Sequence, residues 1–256
     1  MAIGYAVGGW RAATLFLFAA LLTETTVYAY CDRIVLSMLG ARELAAAERP
    51  ELHSMVERLA ARARVVKPRL YVIADGYPRS LSVGRGPTSS SVVLSLGLLT
   101  AASSAEIEGL IAHELAHVRN HDVAVQTASV AVAATIVELT RFAGFFQRGL
   151  LFFFAPIAAA VENLLLSAKR EYAADFNAAI LCGSPHGLAD ALLRIEHAGE
   201  LVSFAANPAT EPLYPINPFD REDRLARMFE THPPLLERIK RLRGLDPDWR
   251  EKLLVA

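Results

Sequence analysis

His113-Glu114-Leu115-Ala116-His117 sets two imidazoles four residues apart with a carboxylate between them. On a helix, four residues turn the chain through about 400°, so both rings project from one face, one turn apart. Two neutral rings placed this way can reach a single tetrahedral zinc ion, and Glu114 then stands ready to take a proton from a metal-activated water. The plain alternative is a surface helix with two solvated histidines. A hydrolytic zinc site also needs a third protein ligand and an open fourth position. Downstream, Arg170-Glu171-Tyr172-Ala173-Ala174-Asp175 repeats the four-residue spacing with two carboxylates beside a pair of alanines. Small residues there let this helix approach the first closely. Glu171 is the better third ligand. Asp175 then serves as an outer acceptor that orients a ligand histidine through its second ring nitrogen.

The elements that must hold these residues are legible from pattern. Ser103 or Ser104 is the expected N-cap of the helix that carries His113, with Glu106 in the capping-box position for Ser103. Leu70 to Ala74 is an apolar, β-branched run bounded by Pro68 and Asp75-Gly76, which predicts a strand. Ser80 to Val83 alternates and ends in Gly84-Arg85-Gly86-Pro87, a strand and a turn; Ser91 to Ser95 is a third strand. One of these last two is expected at a sheet edge, where an extended peptide can add as a further strand. The Gly-x-Gly of the turn is no phosphate loop, because it does not lead into a strand-to-helix junction. Arg42 to Ala63 has helical spacing, with Pro50 as a start or break. A short helix over Leu188 to Ala198 comes after the stop Gly183-Ser184-Pro185. Four prolines between Ser203 and Asp223 predict a long irregular loop, and Pro233-Pro234 opens a last amphipathic helix from Leu235 to Leu242.

Composition bounds the setting. The chain has 256 residues, 53% of them hydrophobic, and its mean hydropathy of +0.30 is high for a soluble domain. A net charge of −1 and the lack of a basic stripe exclude a nucleic-acid partner. Cys31 and Cys182 have neither metal spacing nor a partner pattern, so both read as buried thiols in a reducing compartment. Ala12 to Tyr30 is broken only by Glu24 among charges and spans ~28 Å as a helix, about one hydrocarbon core. It is predicted to cross a membrane, with a buried core helix as the alternative. Arg33, Arg42 and Arg49 lie after it against Arg11 before it, which places the chain beyond residue 32 on the cytoplasmic side. Cys31-Asp32-Arg33 is no signal-peptide cleavage site. Val123 to Leu166 is again strongly apolar, interrupted by Glu138, Arg141, Arg148 and Glu162. Two helices fit it, as a membrane hairpin or as core helices.

The chain resembles the HtpX-type membrane zinc metalloproteases, relatives of the CAAX prenyl proteases, from about Tyr30 to about Leu245. The resemblance rests on Asp32 to Leu36, Gly40-Ala41-Arg42, Glu51-Leu52, Pro68 to Ile73, Glu106 to Ala112 leading into the two histidines, and Asn120-His121-Asp122. It continues through Glu171 to Asp175, Asn217-Pro218-Phe219 and Thr231 to Ile239. It implies an α+β, mainly helical fold: a zincin-like catalytic core with a small β-sheet, plus transmembrane helices. The domains are then a transmembrane helix at 12–30 and a zinc metalloprotease domain at 33–256, interrupted by a membrane hairpin at about 123–166. The implied activity is a membrane-embedded zinc endopeptidase that cleaves misfolded membrane proteins on the cytoplasmic side, in a stress response. One Zn2+ per chain would sit on His113, His117 and Glu171, with Glu114 as base.

His232 and Arg238 sit in a His-Pro-Pro-x-x-x-Arg pattern similar to one in the prenyl-protease relatives, where the two side chains line the cleft. They are expected in the active site as donors to the developing oxyanion; a capping histidine with a solvated arginine is the alternative. The implied partners are a peptide or membrane-protein substrate and the lipid bilayer of the inner or plasma membrane, with oligomeric state left open. Two other functions fit: a CAAX-type prenyl-protein protease and a catalytically silent membrane scaffold. The sequence departs from the family where Pro-Asn-Ala-Phe is usual and Pro78-Arg79-Ser80-Leu81 stands here. It also carries one leading apolar segment where two are usual.

Overall fold

The computed structural model describes residues 2–141, 168–201 and 233–245. Among them, four strands form a mixed sheet: β1 (Arg42–Glu43), β2 (Arg69–Ile73), β3 (Ser80–Gly86) and β4 (Ser89–Ser95), in the spatial order β1-β2-β4-β3. β4 runs parallel to β2 and antiparallel to β3, with Val72 opposite Leu94 and Val83 opposite Ser91. The three longer strands fall at the stretches that predicted them, but β3 runs on through Gly84-Arg85-Gly86, expected as a turn, and the turn lies at Pro87-Thr88. β4 is flanked on both sides, so of the two strands expected at an edge only β3 is terminal. Arg42 and Glu43, expected to begin a helix, instead pair with β2, because Pro50 fixes the helix start.

The helices are α1 (Ala2–Met38), α2 (Pro50–Ala63), α3 (Leu96–Ala101), α4 (Ser104–Arg119), α5 (Asp122–Arg141), α6 (Ala168–Cys182), α7 (His186–Leu201) and α8 (Leu235–Arg243). The fold is mainly helical with a small mixed sheet. Helices cover the sheet on both faces. Leu70, Val72, Val92 and Leu94 pack with Leu59 of α2, Leu110, Ile111 and Leu115 of α4, and Leu188 and Leu192 of α7. Ile73, Leu81, Val83 and Val93 turn the other way, against Val35 of α1 and Val130 of α5. Burial on both faces is why these strands read as near-continuous apolar runs.

α4 lies inside this arrangement, with Gly109 through Val118 all buried. Its start is fixed as the spacing predicts: Ser103 N–H donates to Glu106 Oε2 at 2.6 Å, and Glu106 N–H donates to Ser103 Oγ at 3.3 Å. α4 meets α7 backbone to backbone. A Cβ on Gly109 would lie 2.5 Å from the Leu188 nitrogen, and one on Gly187 would lie 2.4 Å from the Ala105 oxygen. Neither helix can be held this closely with any larger residue at those positions.

Ala12 to Tyr30 is helical within α1, but among the described residues no helix is long and apolar enough to cross a membrane. α1 is interrupted just before this stretch, at Gly8 and Gly9. Trp10, Leu15, Phe18 and Leu22 on this helix are nonetheless exposed. The hairpin expected at about 123–166 is described only as far as Arg141; its remainder lies outside the described residues.

Candidate metal centre

α4 and α6 pack against each other and present the predicted residues to one point. His113 Nε2 lies 3.2 Å from His117 Nε2, His117 Nε2 lies 3.3 Å from Glu171 Oε1, and His113 Nε2 lies 3.6 Å from Glu171 Oε2. The two rings are nearly perpendicular, at 86°. Zn–N bonds near 2.05 Å imply ligand-to-ligand edges of about 3.3 Å in a tetrahedron, so these three groups outline one tetrahedral face. All three are buried, and they form a group that could hold a metal ion. The alternative of solvated histidines fails on burial alone: His113 is 1% exposed and His117 3%.

Each histidine has a carboxylate behind it. His113 Nδ1 lies 3.0 Å from Asp175 Oδ1, and His117 Nδ1 lies 3.4 Å from Asp122 Oδ2. Such outer carboxylates fix the tautomer, so that Nε2 is left as the lone-pair donor. Asp175 is where the spacing places it. Asp122 is a site residue that spacing does not reach, although it belongs to the Asn120-His121-Asp122 piece of the family resemblance. The chain reverses at His121, which has a positive φ of 65°, and this brings the first residue of α5 back against the helix just left. Arg170 lies 3.4 Å from Asp122 in turn.

Arg238 reaches the same cluster from α8, but from behind the ligands. Its Nε and Nη2 donate to the two Asp175 oxygens at 2.8 and 2.7 Å, and Nη1 lies 3.5 Å from Glu171 Oε2. At 1% exposure it is among the largest fully buried side chains described. The structure thus brings Arg238 to the site through Asp175 and Glu171. His232 lies outside the described residues.

The electrostatics favour a cation. Glu114, Glu171, Asp175 and Asp122 are four carboxylates gathered around the two histidines, against the two guanidinium groups of Arg238 and Arg170. Burial alone would lower the histidine pKa values. Asp175 and Glu171 outweigh it at His113, and Glu171 and Asp122 outweigh it at His117, which is raised to about 10. Burial would likewise raise Asp175, but Arg238 and His113 hold it down at about 2. Glu114, 2% exposed, receives a hydrogen bond from Ser80 Oγ at 2.8 Å.

The profile of peptidase family M48 matches residues 46–246. The chain is 37% identical to a protease HtpX homolog of Pelotomaculum thermopropionicum, across 95% of this chain and 92% of that one. It is 38% identical to the corresponding protein of Salinibacter ruber, across 94% and 90%. A crystal structure of S. mikatae Ste24p aligns at 21% identity with a TM-score of 0.49, covering 94% of this chain and 63% of that longer one. The profile spans the helix of His113 and His117, the helix of Glu171 and the helix of Arg238, and the chain belongs to peptidase family M48, with HtpX proteases among its relatives.

Proposed function

We propose that this protein is a zinc endopeptidase, with His113, His117 and Glu171 as the metal ligands and Glu114 as the general base. The convergence of His113 Nε2, His117 Nε2 and the Glu171 carboxylate within 3.2 to 3.6 Å, directly beside the buried Glu114, carries this reading. Zinc, when bound, supplies Lewis-acid activation of water and of the scissile carbonyl. The side chains do the rest. Glu114 takes the proton of the attacking water and returns it to the leaving amine. Asp175 and Asp122 hold the imidazoles in the ligating tautomer, and Arg238 fastens Asp175 and faces Glu171, so that the third ligand cannot swing away. β3, terminal in the sheet and packed on α4, is the strand an extended substrate would pair with.

The substrates we propose are misfolded or damaged membrane proteins, cleaved on the cytoplasmic side. The support is the HtpX resemblance, the exposed apolar side chains of α1, and the arginines that lie after the apolar stretch. A silent scaffold would not require a base that is intact and hydrogen-bonded in place. The deciding experiment is Glu114→Gln, which keeps the side chain's size and leaves the ligands untouched. Cleavage of casein should fall by about 10²–10⁴-fold with zinc content unchanged. Unaltered proteolysis by this variant would sink the mechanism, and cleavage confined to prenylated peptides would turn the substrate reading toward the prenyl-protein proteases.

A further inference from the structure

We infer that Ser80 is a positioning residue for the base: its hydroxyl sets the plane of the Glu114 carboxylate and ties that carboxylate to the strand on which substrate would dock. The inference rests on Glu114 acting as base. Ser80 is the first residue of β3 and is wholly buried, and its Oγ donates to Glu114 Oε1 at 2.8 Å. Its neighbour Arg79 is tied to β4 in both directions. Arg79 N–H donates to Ser95 Oγ at 2.9 Å, and Ser95 N–H donates to the Arg79 carbonyl at 3.0 Å. The hydroxyl is therefore mounted on a fixed piece of sheet.

The alternation of an antiparallel ladder adds a second consequence. With Arg79 turned toward β4, the backbone N–H and C=O of Ser80 and Ser82 turn away from it. Gly84 is in the same phase, and its N–H donates to Thr127 Oγ1 of α5 at 3.0 Å rather than to β4. Ser80 thus carries, on one residue, backbone groups that face away from β4 and the hydroxyl that holds the base.

The physical need is specific. The last torsion of a glutamate is broad and roughly two-fold, so packing alone leaves the carboxylate plane poorly defined. A donor on Oε1 defines it and leaves Oε2 to receive the proton. Oε1 can keep this hydrogen bond whether Glu114 is ionised or protonated, so the anchor survives the whole cycle. A merely structural serine would need some acceptor, but not this one.

The test is a double-mutant cycle on the full-length, zinc-loaded protein, comparing wild type, Ser80→Ala, Glu114→Gln and the pair. Ser80→Ala should lower kcat by about 10–100-fold, as expected for a misplaced reacting group, with KM within about twofold and zinc content unchanged. In the Glu114→Gln background it should lower the residual rate no further, and the melting-temperature changes of the two single variants should not add. Ser80→Thr, which keeps the hydroxyl, should recover most of the lost kcat. A wild-type kcat for Ser80→Ala, a rise in KM alone, or an equal loss in both backgrounds would overturn the inference. If Ser80→Ala does not fold, Ser80→Cys serves, since a thiol is a weak donor of similar shape; full kcat there would also overturn it. Survival of cleavage in Glu114→Gln is a separate result that removes the base itself and is read before any Ser80 variant.

Discussion

At the scale of single residues, the candidate metal centre is a ring of side chains with a second ring holding it. The two rings should respond differently. Glu171→Ala removes one of three protein bonds and should strip most of the zinc, whereas Asp122→Asn should weaken zinc by only about 10–100-fold, as measured by metal analysis and chelator competition. Collapse of zinc content in Asp122→Asn with retention in Glu171→Ala would mean the ligand and its support are interchanged. Arg238 is the costlier position for stability. Arg238→Met leaves Asp175 buried without its bidentate partner and should destabilise by about 3–5 kcal/mol, read from denaturant unfolding; Arg238→Lys should rescue little, because one ammonium cannot span both oxygens. The inner ring was legible because His113 and His117 are four residues apart on one helix and Glu171 opens a second four-residue pair with Asp175. The outer ring was only half so. Asp175 shares a helix with Glu171, but Asp122 lies across a left-handed turn at His121, and the partner of Asp175 is 63 residues further along the chain. Spacing arguments do not reach across either gap.

At the scale of elements, the decisive piece is α4, and its N-terminus is a test of how it is anchored. Glu106 closes the capping box on Ser103 and also accepts from Arg194 Nε of α7 at 2.8 Å. Burial alone would raise its pKa; Arg194 and Ser103 outweigh that and hold it below the ordinary 4.5. A lowered carboxylate pKa contributes stability that is present above 4.5 and is lost as pH falls through the lowered value. Glu106→Gln should therefore melt earlier at neutral pH, by about 1 kcal/mol given the exposure of Arg194, and its stability should fall less steeply on acidification. A parallel loss of stability for both proteins down to acid pH would show that the cap is electrostatically idle. The capping box, the β2, β3 and β4 strands and the Pro233-Pro234 start of α8 were all readable from sequence, since each depends on neighbours within a few residues. The two-residue β1 was not, and the pattern left open which of β3 and β4 is terminal, because strand order is a property of contacts the local pattern does not carry.

At the scale of the whole molecule, two apolar bodies flank the sheet, and α1 belongs to only one of them. Its inner side packs Val35 and Leu36 under the sheet, while Trp10, Leu15, Phe18 and Leu22 are left exposed. Exposed apolar side chains clustered on one helix are a mark of lipid or protein contact. Cell fractionation should accordingly place the protein with membranes, released by detergent and not by high salt. Recovery in the soluble fraction would show that another protein surface covers α1. The apolar composition pointed to the same setting.

The glycine crossing of α4 and α7 sets how the two histidines are carried. At Gly109 and Gly187 the helices meet through main chain, so no side chain of either residue stands between them to be repacked. His113 and His117 ride on α4, and a side chain at either glycine would push apart the two helices that frame them, so Gly109→Ala should disturb the histidine pair from four residues away.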